Sequence, residues 1–391
     1  MSLLISDQSA SDLTTDIANA FSAVEPRVGL ISGKQGSPRL SAAVYLKKIR
    51  AYDRSSTLNR IKTWLAGTWG IFRILKDNGD TEFLITSNPP LAPLLPLLRA
   101  RKFSLLIWDI WPDALVHTRT LSAGNPLVRA WKFLNKKAFA RAEQIFTISE
   151  GMAESLAQYA PRERISVIPC WADVKLLKPM AKAENRFIKE HGLGGKFVVM
   201  YSGNIGNTHR VEALVDIAKK LRDVDDIVFV IIGEGGKKEL VKRRVAESGL
   251  TNVIMLPFQP REMLPHSLAA ADVGVVTLDE TSSQVSVPSK TYSMLAVGAP
   301  LLCLAGEKSE LAKLVGRHEV GVCFSPDAVS EAANWLRALK NSPSRHRELS
   351  ANARATSLLF SPENAKKYVA ALRRAASSNP ARAEKGERVY A

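Results

Sequence analysis

At 391 residues the chain has length enough for two domains, and its 46% hydrophobic and 24% charged residues make an ordinary globular composition with apolar material for two cores. Lys and Arg outnumber Asp and Glu by 54 to 38, a formal charge of +16 that points to an anionic partner: nucleic acid, anionic lipid or a phosphorylated substrate. Three scattered cysteines, Cys170, Cys303 and Cys323, exclude a disulfide framework and a Cys-x-x-Cys zinc site and fit a reduced, cytoplasmic setting.

The first ten residues carry neither the basic start nor the apolar stretch of a secretory signal. Apolar runs at 3–6 and 28–32 read as strands, with a periodic helix at 13–21 between them. Residues 41–76 read as one long basic helix, with a break near 53–56. Strands follow at 82–86, 104–108, 144–149 and 165–168, with helices at 127–141 and 150–159. Ser87-Asn88-Pro89-Pro90 must turn. The apolar run 91–98 is broken by Pro93 and Pro96, so nothing reaches the roughly 18–20 residues that span a bilayer. Residues 175–190, with Pro179 and several charges, read as a linker. A second series then sets strands at 197–202, 227–232, 253–256, 273–278 and 300–304 against helices at 211–222, 237–248, 289–297, 310–314, 329–339 and 362–375. Cys303 falls in an apolar run and is expected as a buried small hydrophobe. Residues 377–391 are polar and charged and read as a disordered tail. Strands alternating with helices give an α/β fold class, two doubly wound Rossmann-like domains facing a cleft, with ligands outside the carboxyl ends of the strands.

Three segments carry chemistry. Gly203-Asn204-Ile205-Gly206 follows a strand, and glycine there lets a backbone approach a phosphate closely; a plain strand–helix turn reads the same way. It is neither a dinucleotide fingerprint nor a P-loop. Gly233-Glu234-Gly235-Gly236 closes the next strand, either as a permissive loop or as room for a sugar or base. Pro288-Ser289-Lys290 opens a helix, with Ser289 expected as its N-cap. Lys290 then stands at the wrong end of the helix dipole for a cation, which makes sense if an anion binds there, or if the side chain merely points into water.

Taken together, residues 201–206, 233–236, 256–258, 268–274 and 288–300 resemble the nucleotide-binding domain of the retaining GT-B glycosyltransferases of family four, and residues 109–113, 148–152 and 167–173 extend the resemblance upstream. It is most similar to the subgroup of bacterial surface-polysaccharide and O-antigen assembly, which carries Pro-Ser-Lys before the helix. The resemblance implies an acceptor-binding domain at 1–175, rejoined by a helix at 361–376, and a nucleotide-sugar domain at 176–360. Where many members carry Arg and Lys on the diphosphate, this chain has Asn204 and His209, with Arg210 following. The paired Glu positions of the family, the second of which binds the ribose, hold Val285 and Ser293, so Ser293 stands at the ribose position without the family's carboxylate, and Glu280 or Asp279 would serve elsewhere in the site. Trp108 stands where the family often has His, which makes Asp109 the catalytic candidate of the first domain; capping the loop before Pro112 is its other reading.

What the resemblance implies is transfer with retention through an oxocarbenium-like transition state. Lys290, Arg210 and the backbone of Gly203–Gly206 would stabilise the leaving diphosphate. Asn204, Gly206, Glu234, Phe258, Glu280, Ser289 and Ser293 would complete the nucleotide-sugar site. The six His are scattered and no Asp-x-Asp occurs, so no metal and no cofactor beyond the donor, with UDP favoured over GDP, is expected. Residues 45–76 interleave Lys47, Lys48, Arg50, Arg54, Arg60, Lys62, Arg73 and Lys76 with Tyr52, Trp64, Trp69 and Phe72. That pattern fits docking on the anionic inner face of the cytoplasmic membrane, presenting a polyprenyl-diphosphate-linked saccharide acceptor. An ordinary amphipathic helix with its Trp and Ile in the core has the same pattern. A nucleic-acid-binding basic protein, a catalytically inactive scaffold and a sugar-nucleotide epimerase are the alternatives; nucleic acid is not expected, because no zinc-finger spacing or RNA-binding aromatic motif accompanies the charge.

Overall fold

The structure, a computed structural model, describes residues 2–34, 37–78, 81–98, 102–206, 209–279 and 287–377. It divides into two compact units, residues 1–169 with 363–391, and residues 170–362.

Among the described residues the first unit is built on seven parallel strands: β1 (Ser2–Ser6), β2 (Arg27–Ser32), β3 (Val44–Lys48), β4 (Glu82–Thr86), β5 (Phe103–Leu106), β6 (Ile145–Thr147) and β7 (Ile165–Val167). Their order is β3-β2-β1-β4-β5-β6-β7. The inner strands are apolar nearly throughout and buried, as strands covered by helices on both faces must be. The order in which the chain adds strands reverses between β1 and β4, the switch point at which open α/β sheets bind ligands. The helix Ala365–Ser377 belongs to this unit. It packs on the helix Asp12–Ser22, sets Tyr368 4.8 Å from the Phe146 ring, and bonds Arg373 to the Val24 carbonyl at 3.1 Å. Ser377 therefore ends a helix, and the rest of the expected tail lies outside the described residues.

One expectation here is corrected. Residues 41–76 are not one helix: Val44–Lys48 is a strand and the helix is Thr57–Asp77. Val44, Tyr45 and Leu46 pair in parallel with Val28, Gly29 and Leu30, and a free sheet edge overrides a weak helical pattern. Lys47 and Lys48 thus lie on an edge strand, where lysines also discourage further pairing.

Among the described residues the second unit has six parallel strands: β8 (Phe197–Ser202), β9 (Ile227–Ile232), β10 (Val253–Leu256), β11 (Val273–Thr277), β12 (Leu301–Leu304) and β13 (Gly321–Phe324), in the order β10-β9-β8-β11-β12-β13. Its switch point lies between β8 and β11. Cys303 is fully buried in β12, as expected. The segment read as a linker is instead tied into this unit. Lys182 pairs with Asp272, whose carboxylate also accepts from the Val198 N–H at 2.7 Å. Asn185 bonds the His266 carbonyl at 2.9 Å and caps the helix Arg186–Glu190. β13 and the helices Asp113–His117 and Pro343–Ser357 were not foreseen.

Candidate functional site

In the second unit the loops after β8 and β9 lie against each other. The Ile205 N–H bonds the Glu234 carbonyl at 2.8 Å, and the Lys237 N–H bonds the Ile205 carbonyl at 3.0 Å. Gly203 and Gly233 both have φ near +150°, and a Cβ on Gly233 would stand 1.9 Å from the Gly203 oxygen. Only glycine fits this crossing.

Lys290, from the start of the helix Lys290–Ala296, reaches this loop. Its amine sits 3.9 Å from the Tyr201 ring centroid and donates to the Tyr201 hydroxyl at 2.7 Å. A Cβ on Gly203 would meet its Cε and Nζ at 2.8 Å. Burial draws the Lys290 amine down to about 7. His209 is drawn down to about 4, first by burial and then by the charge of Lys290, so its ring is neutral at neutral pH. The result is a glycine cradle with the Lys290 amine beside it, at the switch point of the sheet.

The other expected residues fall around it unevenly. Arg210 is turned to Asp327 at 2.7 Å, with Glu212 3.7 Å away. Asn204 is exposed and its carbonyl accepts from Tyr201 at 2.6 Å; Gly206 follows in the same loop. Glu234 is exposed and pairs with Lys238 at 2.7 Å. Phe258 is 54% exposed at the end of β10, two strands from β8. Ser293 is half-buried on the Lys290 helix. Ser289 is not the side-chain cap expected of it. Its own backbone is already helical, at φ −57° and ψ −27°, and its hydroxyl makes no capping bond. A capping residue needs an extended backbone for its side chain to reach back. Glu280 and Val285 lie outside the described residues, and Asp279 directly precedes Glu280 in the sequence. Sequence reasoning missed Lys237, which bonds the His209 carbonyl at 3.2 Å and Glu212 at 2.9 Å and so braces the loop. Its place directly after Gly236 was the available signal.

In the first unit, Asp109 follows β5. The Trp108 and Asp109 N–H groups both bond the Ser87 hydroxyl, at 2.9 and 3.1 Å. The Asp109 side chain is open to solvent, yet the surrounding protein crowds its carboxyl and holds it above the usual carboxylate range. The neighbouring Asp113 is structural, bonded to the Tyr159 hydroxyl at 2.5 Å and to Lys132 at 2.6 Å.

A second carboxylate was missed. Asp7 leaves β1 at the switch point, fully buried, and accepts from Thr14 at 2.5 Å, the Ser9 N–H at 3.1 Å and Asn88 at 3.0 Å across the switch. Burial raises its carboxyl despite these bonds. Gln8 beside it bonds the Arg50 and Thr63 carbonyls at 2.9 and 2.7 Å. The signal was a polar pair closing an apolar strand. Among the described residues no three His, Cys, Asp or Glu side chains gather as a metal-holding group, and no helix is long and apolar enough to cross a membrane.

Residues 183–356 match the family model described as Glycosyl transferases group 1. They form a group 1 glycosyl transferase domain. This domain lies within the second unit and contains the glycine cradle and Lys290. The chain is similar to WcaI of Escherichia coli strain K12, named as a colanic acid biosynthesis glycosyl transferase, with 27% identity over 62% of this chain and 61% of that one. It is similar to WbjE of Pseudomonas aeruginosa, named as a glycosyltransferase, with 26% identity over 62% of each chain. The chain thus matches about six-tenths of the length of these relatives. Among solved structures, Anabaena HepE in complex with UDP superposes with a TM-score of 0.72 at 17% identity, over 95% of this chain and 98% of that one. WaaG, a glycosyltransferase of lipopolysaccharide biosynthesis, superposes with a TM-score of 0.69 at 12% identity, over 94% and 99%. Around the group 1 domain, the whole chain therefore has the two-unit GT-B fold.

Proposed function

We propose that the protein is a retaining glycosyltransferase of surface-polysaccharide synthesis. It moves a sugar from a nucleotide-diphosphate sugar, UDP-linked before GDP-linked, to a lipid-linked saccharide. The observation that carries the donor side is the Lys290 amine beside the Gly203 backbone at the switch point of a group 1 domain. When the glycosidic bond breaks, negative charge grows on the leaving diphosphate. A cation and close-approaching backbone, fixed beforehand, stabilise that charge more than they stabilise the donor itself. The chain supplies its own cation, so metal-independent transfer is part of the proposal. The solved HepE complex, which holds UDP, supports the choice of base. The proposal assigns the acceptor side to Asp109 and to the buried Asp7, which Asn88 bonds across the switch, at the strand ends of the first unit.

The lipid part of the proposal rests on the helix Thr57–Asp77. Its buried residues are Thr63, Gly67, Ile71 and Leu75. Leu58, Ile61, Leu65 and Trp69, spaced three or four apart, are instead exposed, Trp69 by 61%. Arg54, Arg60, Lys62, Arg73 and Lys76 flank them in solvent. An apolar stripe left outside the core beside cations suits the headgroup region of an anionic membrane and supports the part of the proposal in which the protein works on the inner face of the cytoplasmic membrane.

The test is binding and turnover with UDP, GDP, ADP and dTDP and their sugars, with and without chelator, in wild type and Lys290→Ala. Stabilisation by one nucleotide that is lost in the variant is expected. No shift with any nucleotide sinks the donor site.

A further inference from the structure

Lys290 and Tyr201 are joined more closely than packing requires. The ammonium donates to the phenol oxygen at 2.7 Å and lies 3.9 Å from the ring centroid. The phenol hands its own hydrogen on to the Asn204 carbonyl at 2.6 Å. A hydroxyl that donates one way keeps lone pairs to accept the other way, so ammonium, phenol and carbonyl form a directed chain. Tyr201 is fully buried in the core of the second unit, among Ile205, Val211 and Phe229, which makes its hydroxyl a fixed point. Lys290 has a long flexible stem, and Gly203 leaves the space in which that stem lies.

The partner is chemically telling. Among the described residues no carboxylate pairs with Lys290. A carboxylate would compete with a phosphate for the ammonium. A phenol accepts the hydrogen bond yet leaves the charge uncompensated, and burial pushes the Tyr201 phenol far up, so it stays neutral.

We propose that Tyr201 is a positioning residue: through its hydroxyl and ring face it holds the Lys290 ammonium aimed at the diphosphate carried over Gly203, without neutralising it. This rests on the reading of Lys290 as a diphosphate ligand. Holding a lysine in place beforehand moves the loss of its rotamer freedom from ligand binding to folding.

The test is a double-mutant cycle on the full chain, with UDP, GDP and uridine as probes, in wild type, Tyr201→Phe, Lys290→Met and the double variant. Tyr201→Phe keeps the ring and its packing, and urea midpoints check that each variant is folded. The expected result is about tenfold weaker binding of the better diphosphate in Tyr201→Phe with uridine unchanged. A larger loss is expected in Lys290→Met, and less than about a twofold further effect of Tyr201→Phe on that background. Equal losses on both backgrounds overturn the positioning role, because Tyr201 then acts through the loop alone. Undiminished binding in Tyr201→Phe while Lys290→Met is impaired overturns it too, and leaves the donor site standing. Undiminished binding in Lys290→Met, or no diphosphate binding in wild type, overturns the donor-site reading and this inference with it.

Discussion

The Lys290 amine titrates near neutrality because burial alone draws it down to about 7. A diphosphate in contact with it favours the charged form, so its pKa is higher in the complex than in the free protein. The sign follows from linkage. Affinity gained through the ammonium is fully present below the free value, about 7, and falls as pH rises above it, by up to about tenfold per pH unit, until the pKa of the complex is reached. His209, at about 4, stays neutral throughout this range. A sugar nucleotide is the right probe, since its diphosphate diester does not ionise there. Titration calorimetry between pH 6 and 9 should show that decline in wild type and a flat profile in Lys290→Met. An equally flat wild-type profile would show that Lys290 does not carry the charge.

At the scale of elements, the helix Thr57–Asp77 packs most tightly through Gly67. A Cβ at Gly67 would stand 2.3 Å from the Gln8 Nε2 and 2.5 Å from its Cδ. That amide cannot swing away without losing its bonds to the Arg50 and Thr63 carbonyls. Gly67→Ala gains about 1 kcal/mol in helix propensity but overpacks a fixed contact at about 1–3 kcal/mol. The expected net effect is a lower urea midpoint for the first unit with an unchanged slope; a raised midpoint would show that Gln8 yields. None of this was visible in the sequence, where Gly67 is one small residue inside an amphipathic pattern. Most strands of both sheets were legible as apolar runs between turn residues, and the second-unit loops from the glycines that follow β8 and β9. β3 was not, because it is an edge strand whose two lysines extend the basic pattern of the next helix. Asp7 was hidden for a related reason: its role is set by Asn88, 81 residues away across the switch point.

For the whole molecule, the +16 charge has two readings that the exposed stripe separates. If the partner were nucleic acid, binding would track cations alone and collapse as salt releases them. A membrane takes both kinds of contact. Each Lys or Arg near an anionic surface contributes about 1 kcal/mol and is screened by salt. Each large side chain removed from water contributes about 1.5–3 kcal/mol when fully buried, and salt does not weaken it. Leu65→Ser with Trp69→Ser, both exposed in the folded chain, should therefore weaken co-sedimentation with anionic vesicles by at least about tenfold at low and at moderate salt alike. The same pair should leave any association with DNA unchanged, and nucleotide binding in the second unit should not move. Vesicle binding that survives the double substitution but vanishes at about 0.3 M salt would assign the surface to charge alone. The apolar stripe would then need another occupant.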